Sequence, residues 1–145
     1  MTSGHKLLTF MDAFLGYNQI RMAPKDHEYT ASIMDRGVYC HKVMPSDLKN
    51  SDAIYQRMIN QMFEYHIRRN MEVYVDMIVK SKVSNTHLGD LTETFRKPKR
   101  FSMRLNPIKC TFGVSSGKFL GFIIHQRGIC MNPKMTQAIT KMQSP

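Results

Sequence analysis

Glu72-Val73-Tyr74-Val75-Asp76-Met77-Ile78-Val79-Lys80 sets one carboxylate between two runs of β-forming residues, and its reading decides the fold. Valine, tyrosine and isoleucine on both sides predict a β-hairpin over residues 71–79, with its turn at Asp76-Met77. A charge at a hairpin tip among apolar neighbours is unfavourable unless it binds something. Asp76 is therefore the first candidate site residue. A second carboxylate has a similar setting: Leu7-Leu8-Thr9-Phe10-Met11 predicts a buried strand, and Asp12 closes it. Hard oxygen ligands of this kind suit Mg²⁺, which is commonly held by one or two carboxylates together with substrate phosphates. An aspartate in a turn is also an ordinary turn former, so spacing alone leaves both readings standing.

Working outward, residues 29–34 and 38–44 predict two strands joined at Asp35-Arg36-Gly37. Ile54, Tyr55, Met58, Ile59, Met62 and Phe63 recur at helical spacing, with Gln, Arg and Asn opposite, and Asn50 or Ser51 can cap that helix. A second helix begins near Ser84 or Asn85 and carries Leu88, Leu91 and Phe95; Pro98 should stop or kink it. Residues 103–105, 119–124 and 129–131 are further strand candidates, and Asn132-Pro133 opens a last short helix. The order gives an α+β fold, an antiparallel sheet with helices on one face.

The chain has 145 residues, enough for one domain, and 42% hydrophobic content with 22% charged residues suits a globular protein. Thirteen Met and no Trp point to a soft core. Lys and Arg number 21 against 11 Asp and Glu, a net charge of +10 that favours polyanionic partners. Residues 96–109 concentrate this charge in Arg96, Lys97, Lys99, Arg100, Arg104 and Lys109 without one acid, interleaved with Phe101 and Met103. Such a stretch suits a phosphate-tracking surface, and equally a solvated helix end. Cys40, Cys110 and Cys130 lie far apart, which argues against a disulfide framework or zinc site and for a reducing compartment. The N-terminus has no apolar leader, and no apolar run approaches the about 20 residues of a membrane span. The expectation is an intracellular, cytoplasmic or nuclear protein, neither secreted nor membrane-bound.

Phe10-Met11-Asp12-Ala13-Phe14-Leu15-Gly16-Tyr17-Asn18-Gln19-Ile20, Tyr74-Val75-Asp76, Leu105-Asn106-Pro107-Ile108-Lys109-Cys110 and Phe119-Leu120-Gly121-Phe122 occur in this order. Together they resemble the reverse transcriptase of gypsy-like LTR retrotransposons, over nearly the whole chain. The resemblance implies a polymerase palm with part of a fingers hairpin, performing two-metal nucleotidyl transfer with Mg²⁺ or Mn²⁺. It implies that Asp12 and Asp76 are catalytic metal ligands. It implies that Tyr17 lies under the incoming sugar and excludes a 2′-hydroxyl, and that Lys109 lies near the phosphates of a dNTP. Tyr74 would stand near the primer end, and Phe119, Leu120 and Gly121 would form a hairpin holding the primer terminus. An RNA or DNA template-primer is the implied partner. Association with other Pol subunits is left open.

The sequence departs from the family pattern at functional places. The family carries Tyr-x-Asp-Asp, whereas Asp76 is followed by Met77, and the downstream Met77-Ile78-Val79-Lys80-Ser81 marks loss of one residue rather than substitution. Such a loss is expected to shift the strand register and to displace Asp76. Asp47 stands where the family has glycine, and Pro98 where it has an apolar helix residue. Residues 1–145 are read as a partial domain, without most of the fingers and without thumb, connection or RNase H regions. The expectation is a polymerase fold with little or no activity, the alternative being a non-catalytic nucleic-acid-binding remnant.

Overall fold

The computed structural model describes residues 4–133 and 136–137. Strands β1 (Leu7–Met11), β2 (Ser32–Met34) and β3 (Gly37–Tyr39) precede helix α1 (Ser51–Met62). Then come β4 (Met71–Tyr74), β5 (Asp76–Ser81), helix α2 (His87–Arg100) and β6 (Thr111–Val114). The last strands are β7 (Ser116–Phe119), β8 (Phe122–His125) and β9 (Gly128–Met131). The main sheet has four antiparallel strands in the order β4-β5-β1-β6.

This sheet is covered on both faces. Successive strand residues point to opposite sides, so the Phe10↔Ile78 and Met11↔Met77 pairs of β1 and β5 face opposite ways. Met11, Met77 and Val79 join Tyr55, Ile59, Met62 and Phe63 of the α1 region and Leu91 of α2 in one core. Leu8, Phe10 and Ile78 pack on the other side with Ile124 of β8. The α+β architecture with helices on one face thus stands, with the three-stranded β7-β8-β9 sheet as an additional layer.

Several local expectations are corrected. Residues 24–30 form a 3₁₀ helix, so Tyr29 is not in a strand, and the first hairpin shrinks to Ser32–Met34 and Gly37–Tyr39. Both of its strands are exposed throughout, so no packing extends them. In α1 the buried residues are Ser51, Tyr55, Ile59 and Met62, whereas Ile54 is exposed; neither Asn50 nor Ser51 caps the helix through its side chain. Pro98 does not stop α2, which continues to Arg100. Proline there lies in the last turn with its ring buried, which offsets the single lost i→i−4 hydrogen bond. Residues 103–105 make only an isolated bridge, Ala13↔Leu105, and residues 119–124 are two strands broken at Leu120-Gly121. The short helix expected from Asn132 falls largely outside the described residues.

A buried polar circuit ties β1, β5 and α2 together. His87 Nε2 lies 2.8 Å from Thr9 Oγ1 and its Nδ1 lies 2.8 Å from Ser81 Oγ, while Ser81 donates to Asp90 and Gly113 N–H donates to Thr9 Oγ1 at 3.1 Å. With Ser81 donating to Asp90, the network assigns a proton to Nδ1. Burial pushes both His87 and His66 below the ordinary imidazole value of 6.5, although Asp90 and Glu93 respectively pull the other way. The unfolded chain therefore takes up protons near pH 6.5 that the folded chain takes up only at lower pH. Stability is full above that pH and falls as pH drops through the folded values. Urea unfolding is expected to show a lower midpoint at about pH 5.5 than at about pH 7.5, and replacing His87 by Gln should flatten that difference.

Candidate active site

The β1–β5 register brings the two aspartates together. Leu7↔Ser81 through Met11↔Met77 advance one residue at a time, and one further step sets Asp12 opposite Asp76. Both share the Phe10–Ile78 face, turned away from the helices. They line an open cleft of about 440 Å³ with Phe10, Val75, Lys109, Lys118 and Phe119. The Asp12 backbone is fixed by the Asn106 N–H, which donates to its carbonyl at 2.8 Å. Lys109 Nζ stands 3.3 Å from Asp12 Oδ2. Burial first, then the Asp12 charge, pushes the Asp76 carboxyl above the usual carboxylate range, with Lys109 pulling it back. Like charges crowded this way favour a cation between them.

Asp76 stays in register with Asp12 at the end of β5. Tyr74 pairs directly with Asp76, so Val75 alone makes the turn, with φ 52. The turn expected at Asp76-Met77 thus lies one position earlier, and Met77, Ile78 and Val79 stay fully buried. Val75 N–H donates to Gln56 Oε1 at 3.1 Å; Gln56 Nε2 donates to Val73 O at 3.4 Å and to Asn60 Oδ1 at 2.8 Å.

Tyr17 lies in a 3₁₀ turn, its ring tilted 41° to that of Tyr55 at 5.1 Å between centroids. Gly16 permits this approach, since a Cβ there would meet the Tyr55 ring at 2.8 Å. Tyr17 donates to Asp52 Oδ1 at 2.6 Å, and this bond, with burial and the charges of Asp52 and Asp76, pushes the phenol up to about 12. The phenol therefore stays protonated throughout the working range. Gly117 of β7 crosses directly over Phe10, where a Cβ would come within 2.3 Å of the ring. Leu120 and Gly121, both at positive φ, form a two-residue hairpin turn. Tyr74 faces Phe119, Leu120 and Phe122 across a second, apolar cleft.

The basic stretch is placed elsewhere. Arg96, Lys97, Lys99 and Arg100 occupy the last turns of α2, on the helix layer behind the sheet; Arg96, Lys99 and Arg100 are exposed, and Lys97 Nζ stands 5.7 Å over the Tyr65 ring. Arg104 lies on the following loop, beside Phe14 and Gln19. Asp47 sits in an exposed turn before α1 and does not line the cleft. Lys118, Asp52 and Gln56 are site residues that sequence reasoning passed over. Gln56 falls on the polar face of the α1 pattern, and its only signal is an uncharged amide, able both to donate and to accept, next to Tyr55.

Two carboxylates on one face, one destabilised by the other, fit a single hard cation completed by water and phosphate oxygens. Among the described residues, no group of three or more His, Cys, Asp or Glu could hold an ion by itself. No described helix is long and apolar enough to cross a membrane.

Residues 1–124 match the family model for "Reverse transcriptase (RNA-dependent DNA polymerase)". The chain is 34% identical over 141 residues to the Retrovirus-related Pol polyprotein from transposon opus of Drosophila melanogaster, covering 97% of this chain and 14% of that protein. It is 29% identical over 141 residues to the corresponding polyprotein from transposon gypsy of the same organism, with the same coverage. The chain thus spans about one seventh of these relatives, 14% of each. Among solved structures, the foamy viral protease-reverse transcriptase in complex with RNA/DNA hybrid superposes with a TM-score of 0.87 at 20% identity, covering 99% of this chain and 20% of that one. A form of the same protein in complex with double-stranded DNA gives 0.89 at 20% identity, covering 97% and 25%.

Proposed function

Since this chain belongs to the reverse transcriptase (RNA-dependent DNA polymerase) family, we propose that the Asp12–Asp76 cleft is the nucleotidyl-transfer site of a retrotransposon-type polymerase palm, working with one carboxylate fewer than its relatives. The observation that supports this best is the β1–β5 register, which sets the two carboxylates side by side on the open face. The substrates are a template-primer of RNA and DNA and an incoming dNTP.

In this reading Asp12 and Asp76 hold Mg²⁺ or Mn²⁺, which when bound neutralises charge on the transferring phosphate and on the primer 3′-oxygen. The primer 3′-hydroxyl loses its proton to water as its oxygen bonds to the α-phosphorus and the bond from that phosphorus to pyrophosphate breaks. Lys109, now 3.3 Å from Asp12, would turn to the dNTP phosphates and leave that carboxylate to hold the cation. The Tyr17 ring, braced by Tyr55 and Asp52, lies under the sugar and leaves no room for a 2′-hydroxyl. Phe119, Leu120 and Gly121 hold the primer end beside Tyr74. Arg96, Lys97, Lys99, Arg100 and Arg104 offer phosphate contacts outside the cleft.

Loss of one metal-holding carboxylate removes several kcal/mol of transition-state stabilisation, and each 1.36 kcal/mol costs about tenfold, so turnover is low by orders of magnitude. Asp12→Asn tests the site: single-nucleotide extension should fall at least about 100-fold from that low level, with template-primer affinity changed less than about twofold. Extension unchanged in the variant would place the chemistry elsewhere. Binding without any extension in the parent chain would make it a non-catalytic nucleic-acid module.

A further inference from the structure

We propose that Gln56 is the positioning residue that closes the one-residue turn at Val75 and so steadies Asp76 in the place beside Asp12 that the β1–β5 register gives it, and that the residue this hairpin lacks is the one at its tip. The consequence for the cation rests on the proposed function; the assignment of Gln56 does not.

The shortest common hairpin loops have two residues, and here there is one. Val75 is β-branched and takes φ 52, a conformation that such side chains strongly disfavour. Strained backbone of this kind persists only where its surroundings over-determine it. Downstream, Met77, Ile78 and Val79 are fully buried between two layers, and a one-residue slip would turn each to the wrong side. Upstream, fully buried Met71 anchors β4 in the core. Neither strand can slide, so the shortening is confined to the turn.

The one-residue turn leaves the Val75 N–H with no partner across it. The Gln56 amide accepts from that N–H at 3.1 Å and donates at 3.4 Å to the carbonyl of Val73 in the adjoining strand, so it clamps the turn to β4. A glutamate there could not donate, and a leucine could do neither. Asn60, one helical turn on, accepts the second amide hydrogen at 2.8 Å and fixes the amide orientation. Asp76 pairs with Tyr74 as the first residue of a strand, so it holds the strand-side place and the tip place is vacant.

The test is amide hydrogen exchange in the whole chain, together with Mn²⁺ binding followed by electron paramagnetic resonance. In Gln56→Met, exchange at Val75 should accelerate at least tenfold while Met77 and Val79 stay unchanged, and Mn²⁺ affinity should drop about tenfold, as expected for one unpaired backbone group. Adding Val75→Gly, which reaches positive φ without strain, should restore the affinity to within about threefold of the parent. Unchanged exchange at Val75, or equal acceleration at Val75, Met77 and Val79, would overturn the assignment. If the parent chain binds no Mn²⁺ but Val75 still responds, the positioning role stands and the metal reading fails.

Discussion

Insertion of one aspartate beside Asp76 is expected to raise Mg²⁺-dependent primer extension by about 100-fold or more. The inserted residue gives the same sequence on either side of Asp76, so the fold decides which aspartate goes where. Met77, Ile78 and Val79 are locked between two layers, and the added residue must therefore enter the turn. The hairpin then gains an ordinary two-residue tip, Val75 is relieved of its strained φ, and a further carboxylate faces the cleft. Recovering about 3 kcal/mol of charge stabilisation corresponds to roughly a hundredfold in rate. Single-nucleotide incorporation on an RNA template, compared between parent and insertion chain, measures the effect. An unchanged rate with unchanged Mn²⁺ affinity would show that the hairpin is not what limits this chain.

Met77→Asp restores the same four-letter motif and should do the opposite. Position 77 is fully buried on the helix-facing side of β5, opposite Met11. The substitution removes a buried methionine, a loss of about 2–5 kcal/mol for truncation alone, and adds an unpaired carboxylate to the core. The sum rivals the whole stability of a domain, about 5–15 kcal/mol. The variant should show no cooperative urea transition by circular dichroism, whereas the insertion chain should keep one. A folded Met77→Asp protein would mean that β5 can slip by one residue, contrary to the burial on its two faces.

The contrast between these two changes shows what the sequence could and could not tell. Leu7-Leu8-Thr9-Phe10-Met11 was legible as a strand because every residue is apolar or β-forming, and the α1 stripe because Tyr55, Ile59 and Met62 repeat at helical spacing. The carboxylate pair was legible as two strand ends. The turn was misplaced by one residue because aspartate is a good turn former and valine a poor one, so local preference pointed to Asp76. Tertiary forces override it: burial holds Met77, and an amide from a helix nineteen positions away in sequence holds Val75. Pro98 misled for a related reason, since its burial in the last turn of α2 is a tertiary fact. β6 went unread because Thr111-Phe112-Gly113-Val114 is mostly exposed and pairs only with distant β1. Lys118 was invisible as a cleft residue until β7 was seen to cross Phe10 at Gly117.

The placement of β1 has a consequence for how the protein is made. Its two sheet neighbours, β5 and β6, are both synthesised long after it. As the chain leaves the ribosome, β1 has no strand to pair with until residue 81 has emerged, although β4 and β5 can close on each other at once. Long-range pairing of this kind is slow, and it leaves an apolar strand open to other chains meanwhile. Asp12 precedes Asp76 by 64 positions, so the carboxylate pair cannot form until β5 has followed β1 out. A nascent chain arrested before Asp76 carries Asp12 without its partner carboxylate and leaves β1 with no strand of the sheet to pair with.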